Sequence, residues 1–153
     1  MKKFTYLQIR EMLHLHDMWF NNVKGGILAD LTGADLAGVD LAGANLTYIK
    51  EDFFNKLLLA KNEVLGLYNY LMTGRINGSV YVGECACFIG TISKVAKEHY
   101  ESLSSGLKPD PQSPIERWFL GIRKDDIPQN SQISAITATW MREFMDNEKI
   151  IYP

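Results

Sequence analysis

The residues best suited to chemistry gather between Gly78 and Ile92, where Gly78-Ser79-Val80-Tyr81-Val82-Gly83 leads into Glu84-Cys85-Ala86-Cys87-Phe88-Ile89-Gly90-Thr91-Ile92. The layout is an extended stretch, a glycine, then the start of a helix. Helix starts expose unpaired N–H groups and a partial positive charge, which suits a phosphate or hydroxyl. Glu84 stands in that field and would accept from a ribose or base. No Gly-Lys-Ser/Thr follows, so this is not a phosphate loop; a tightly packed turn is the structural alternative. Cys85 and Cys87 are two thiols where a structural metal site needs four ligands, and positions i and i+2 of a helix face different ways. No metal is expected there. A nucleophile pair with His99 fails on distance, since three helical turns put roughly 18 Å along the axis between them. His14 and His16 flank Leu15 and point to different faces of one helix. No catalytic residue and no cofactor is expected.

A second group lies in Ser113-Pro114-Ile115-Glu116-Arg117-Trp118-Phe119. Arg117 offers a fixed cation and Trp118 a flat apolar surface, with Glu116 beside them, a complement for a charged aromatic ligand. Trp19, Trp118 and Trp140 are otherwise core anchors. Arg75 precedes the Asn77-Gly78 turn signal. The ligand-binding set expected is therefore Arg75, Tyr81, Glu84, Arg117 and Trp118, on the condition that residues 78–84 and 117–118 meet. Glycines 78, 83 and 90 would let backbone approach a ligand closely.

Helices must position these groups. Thr5 to Asn22 reads as the first, with Leu7, Met12, Leu15 and Trp19 as its apolar stripe, Ile9 and Phe20 at its margin, and Gly25-Gly26 as its end. Glu51 to Lys61 and Glu63 to Thr73 follow, divided by a cap at Asn62 and stopped by Gly74. Glu84 to Tyr100 carries the stripe Cys85, Phe88, Ile89, Ile92, Val95 and Ala96. Ser113-Pro114-Ile115-Glu116 matches a capping box with proline at the first helical position, predicting a short helix to about Gly121. Ser131 to Asn147 closes the chain, burying Ile133, Ile136, Trp140 and Phe144.

One segment obeys neither period. Ala29-Asp30-Leu31-Thr32-Gly33, Ala34-Asp35-Leu36-Ala37-Gly38, Val39-Asp40-Leu41-Ala42-Gly43 and Ala44-Asn45-Leu46-Thr47-Tyr48 repeat every five residues, against 3.6 for a helix and 2.0 for a strand. The block resembles the pentapeptide-repeat family, with its pattern A-(D/N)-L-x-x. The resemblance implies a right-handed square β-solenoid coil with one pentapeptide per side, and Leu31, Leu36, Leu41 and Leu46 pointing inward. On that winding Asp30, Asp35, Asp40 and Asn45 fall on four different sides of one coil. The acidic ladder of a DNA-mimicking topoisomerase inhibitor, known in larger family members, is then disfavoured. The fold class expected is mainly α with a single-coil solenoid segment at 29–48 inside one domain, 1–153; α+β is the alternative.

Bulk properties narrow the function. The chain has 153 residues, 46% apolar and 22% charged, with net charge −2. That composition suits one ordinary globular core, without a basic nucleic-acid face. No apolar run approaches a membrane span, no signal peptide is evident, and two cysteines one residue apart form no disulfide framework. A cytoplasmic protein is expected, with no direct nucleic-acid or membrane contact. The whole chain is similar to small pentapeptide-containing proteins of phages and prophages, in which G-x-x-Y-x-G-x-C-A-C-x-x-G-T-I precedes P-x-E-R-W-F; Gly78–Ile92 and Pro114–Phe119 match. This resemblance implies a setting more than an activity; the leading expectation is a non-catalytic binding protein, an accessory or counter-defence factor that captures a small nucleotide-like ligand or a host protein. A structural or assembly protein is the alternative, and an enzyme ranks third. A homo-oligomer, most simply a two-fold dimer, would cover the open edges of a single coil.

Overall fold

The computed structural model describes residues 2–29, 34–35, 46–80, 82–83 and 86–153. Helix α1 spans Tyr6–Phe20. Thr5 caps it: its hydroxyl accepts the Gln8 N–H at 3.2 Å while the Gln8 side chain accepts the Thr5 N–H at 2.8 Å, a reciprocal box that satisfies two orphan donors. The helix ends before the glycines, at Asn21 and a left-handed Asn22 (φ 57). Its buried face is Ile9, Leu13 and His16, an i, i+4, i+7 stripe, whereas Leu7 is 74% exposed. The buried face keeps Ile9 of the expected stripe but leaves Leu7 outside it, with Tyr48 of the next helix stacked on His16 and bonded to Leu13 O.

Helix α2 (Thr47–Leu59) corrects the expected fold class. Leu46 sits half-buried at the helix start, its carbonyl accepting the Ile49 and Lys50 N–H groups, and Thr47-Tyr48 are already helical. The described residues are helical, and among them no β-solenoid is present. Strand pairing among the described residues is confined to one two-residue parallel pair, β1 (Lys2–Lys3) with β2 (Ala34–Asp35), and one bridge, Ile76 to Ala86. The α+β alternative falls with it. The physical reason lies at the end of the repeat. Tyr48, Ile49, Phe53 and Leu57 recur at helical spacing and are all buried, so the core draws the end of the repeat into a helix. Leu31, Leu36 and Leu41 lie outside the described residues.

A 3₁₀ turn at Lys61–Glu63, not a cap at Asn62, joins α2 to α3 (Val64–Met72), and Gly74 (φ 71) stops α3. Helix α4 is Phe88–Ala96, four residues shorter at each end than its apolar pattern suggests. Cys87 caps its start, its Sγ accepting the Gly90 N–H at 3.4 Å, and a left-handed Lys97 ends it. Ala86 and Cys87 are claimed by the preceding bridge: the Cys87 N–H donates to Val80 O at 2.6 Å and the Asn77 N–H to Ala86 O at 2.9 Å. Helix α5 (Pro114–Phe119) and helix α6 (Gln132–Asn147) start where their caps, Ser113 and Ser131, place them.

Helix α2 packs on α5, and α3 on both α4 and α6. At the centre the rings of Phe53, Phe88 and Phe119 meet with centroids 5.2–5.9 Å apart. The α3–α4 contact depends on Gly66, where a Cβ would lie 2.5 Å from Val95 Cγ1. Gly66→Ala should therefore destabilise by about 1 kcal/mol net, the overpacking cost partly offset by better helix propensity. In urea unfolding, Val95→Ala should be less harmful in the Gly66→Ala background than in the parent; equal costs in both would mean the two positions do not touch.

Candidate functional site

The turn after α3 and the body of α5 come together. Asn77 closes the turn, its side-chain oxygen accepting the Ser79 hydroxyl at 2.7 Å and the Ser79 N–H at 3.2 Å. Gly78 then runs directly against the end of α5. Its N–H donates to Ile122 O at 3.0 Å, and a Cβ there would stand 1.8 Å from Phe119 O. Only a residue without a side chain fits. The Gly78 close approach is the condition the sequence left open, and it holds for residues 78–80 against 116–120.

Between the two lies a cavity of about 230 Å³. Gly78, Ser79, Val80 and Cys87 form one wall; Glu116, Arg117 and Leu120 form the other, with Pro111 at the rim. Helix α5 is held in place from α2. Asp52 accepts the Ser113 hydroxyl at 2.8 Å and the Ile115 N–H at 3.0 Å, and pairs with Lys56 at 2.7 Å. That cap fixes the register of Glu116 and Arg117. The proposed capping box is only half formed: the Glu116 N–H reaches Ser113 Oγ at 3.5 Å, but the Glu116 carboxylate turns to the Asp110 N–H at 2.6 Å.

Glu116 is buried, and burial pushes its carboxyl up from 4.5 to about 7; the Asp110 N–H and Lys56 oppose the shift, while Asp110 and Asp52 add to it. It can donate or accept near neutrality. Cys87 is also buried, its thiol raised to about 11 chiefly by desolvation, so it faces the cavity as a neutral thiol. The cavity therefore combines a permanent cation, a carboxyl that can be neutral, a serine hydroxyl and approachable backbone. Such a set can hold a small anionic or hydroxyl-bearing group.

The other candidate residues lie as follows. Arg75 is exposed and stacks over the Tyr70 ring at 4.3 Å, outside the cavity wall. Lys94 lies over the same ring and bonds Gly83 O. Trp118 is 1% exposed, its Nε1–H donating to Thr137 Oγ1 at 2.8 Å and its ring 5.3 Å from that of Trp140. It packs the α5–α6 contact and does not line the cavity. Tyr81, Glu84 and Cys85 lie outside the described residues. Sequence reasoning passed over Ser79, Pro111 and Leu120 and treated Glu116 mainly as a cap. The signal for Glu116 was its place among Pro114, Ile115, Trp118 and Phe119, all buried.

Among the described residues no three His, Cys, Asp or Glu side chains are grouped to hold a metal, and no helix is long and apolar enough to cross a membrane. Residues 28–48 match the family model for pentapeptide repeats, so the chain carries that repeat in the segment its period of five marks out. No curated protein and no solved structure matches the chain.

Proposed function

We propose that this protein is a non-catalytic binder that captures the phosphate or ribose end of a small nucleotide-like ligand between the Gly78–Val80 turn and Glu116–Arg117. The observation that carries the reading is that Arg117 and a near-neutral Glu116 share one small cavity with the turn residues Gly78, Ser79 and Val80. At about 230 Å³ the cavity is below the 300–1,000 Å³ of sites for whole drug-sized ligands, so it takes one end of the ligand and leaves the rest outside. A binder is favoured over an enzyme because the cavity pairs Glu116 with no activated nucleophile among the described residues: its thiol is held protonated. The resemblance to phage and prophage proteins supports an accessory or counter-defence setting in the cytoplasm, with a host protein as the alternative partner.

Thermal shift with inorganic phosphate and pooled nucleotides tests this. A parent melting point that climbs with ligand concentration is expected, and Arg117→Ala should lose that response while melting near the parent without ligand. Because an ionised Glu116 repels an anion, binding should weaken as pH rises through about 7. No stabilisation by any pool, or full response in Arg117→Ala, contradicts the proposal. The assembly reading has its own support in the adjacent exposed Leu58 and Leu59 of α2. Light scattering at high protein concentration separates it, since only that reading requires a homo-oligomer.

A further inference from the structure

The repeat segment identified by its period of five begins at Ala29 and ends at Tyr48, and both residues meet one side chain, His16 of α1. The Ala29 N–H donates to His16 Nδ1 at 2.9 Å, and Ala29 is 5% exposed. The Tyr48 ring stacks on the imidazole with centroids 5.1 Å apart and 29° between planes, while its hydroxyl donates to Leu13 O at 3.3 Å. Trp19 lies against the same imidazole at 5.4 Å. We propose that His16 is a clasp for the repeat segment: neutral, it joins the two ends of the segment to α1, and protonation releases Ala29.

The chemistry follows from the tautomer. Nδ1 accepts the Ala29 N–H, so the neutral ring carries its proton on Nε2. Nε2 is itself buried with no hydrogen-bond partner among the described residues. A second proton must go to Nδ1, where it faces the Ala29 N–H, donor against donor; the bond is lost and a charge is buried. The charged and titratable groups around the ring are Asp17 on α1, Arg117 from α5 and the Tyr48 phenol from α2. Burial and then Arg117 hold the imidazole below its ordinary value of 6.5, against the pull of Asp17. A lowered histidine stabilises the fold above 6.5 and withdraws that contribution as pH falls through the folded-state value. The clasp is closed at neutral pH and opens on acidification.

Amide hydrogen exchange read by NMR over a pH series from about 7.5 down through the midpoint of the His16 ring titration tests this on the intact chain. The protection factor of the Ala29 amide should fall at least about tenfold across that midpoint in the parent, with no such fall at the Leu67 amide of α3. His16→Asn, whose side-chain oxygen accepts the same N–H and does not titrate in this range, should show no such fall. A parent whose Ala29 protection ignores pH, or an equal fall in His16→Asn, overturns the clasp. Should that variant not fold, the parent decides alone: loss of Ala29 protection must share its midpoint with the ¹⁵N titration of the His16 ring, and a separate midpoint overturns the proposal.

Discussion

Gly78→Ala is expected to destabilise the protein by about 3 kcal/mol or more, roughly a 10 °C fall in melting temperature for a chain of this length. A new methyl would stand 1.8 Å from Phe119 O, a backbone atom that no rotamer change can move aside. Either the turn or the end of α5 must shift, and the Gly78 N–H to Ile122 O bond goes with it. The same displacement pulls apart the two walls of the cavity. Urea unfolding followed by circular dichroism measures the loss. A variant within about 0.5 kcal/mol of the parent would mean that the turn does not lie against α5.

The second large effect is a pH dependence. Glu116 has its carboxyl raised from 4.5 to about 7 by burial. The native state keeps a proton that the unfolded chain has released between those values, so stability falls as pH rises through the window. Its contribution is complete below pH 4.5 and is lost once pH passes about 7, a change of about 3 kcal/mol at 1.36 kcal/mol per unit. Glu116→Gln keeps an oxygen for the Asp110 N–H but cannot ionise. Its stability relative to the parent should therefore increase from pH 4.5 to pH 8 by about that amount. The His16 effect is common to both chains and cancels in the comparison. A parent and variant running parallel across the range would show that Glu116 is solvated.

The elements read correctly from the sequence were those whose ends are set by local chemistry. Ser113-Pro114 and Ser131 each present a side-chain acceptor to the N–H three residues on, and α5 and α6 start there. Helix α4 was read too long at its start because its apolar stripe begins at Cys85, ahead of the helix, and at its end because nothing in the stripe marks the stop. The bridge at Ala86 and the left-handed Lys97 are tertiary choices that a periodicity does not record. Helix α1 was recognised, with Ile9 on its apolar side, but Leu7 was placed there too. Leu7 looks as apolar as Ile9, and only tertiary contacts decide that Ile9 and His16 are covered while Leu7 is exposed. The repeat shows the same limit from the other side. Its period marked residues 29–48, but Tyr48 and Ile49 also begin a helical stripe, and at the junction the stripe prevails.

For the site, the pairing of the 78–80 turn with Arg117 was legible as residue types and not as geometry. Glycine at 78 implies close backbone approach to something; that the something is Phe119 O depends on the α2–α5 packing and the Asp52 cap. Arg75 and Trp118 had the right chemistry for a ligand and found other partners, the Tyr70 ring and Thr137.

The most direct test of the binding account is a ¹⁵N-detected NMR titration of the parent with inorganic phosphate and then with a nucleoside phosphate. Saturable shifts should concentrate on the amides of Gly78, Ser79, Cys87 and Arg117, the residues that wall the cavity. Saturable shifts centred elsewhere, for example on Trp19 to Gly26, or no shift with either compound, would contradict it.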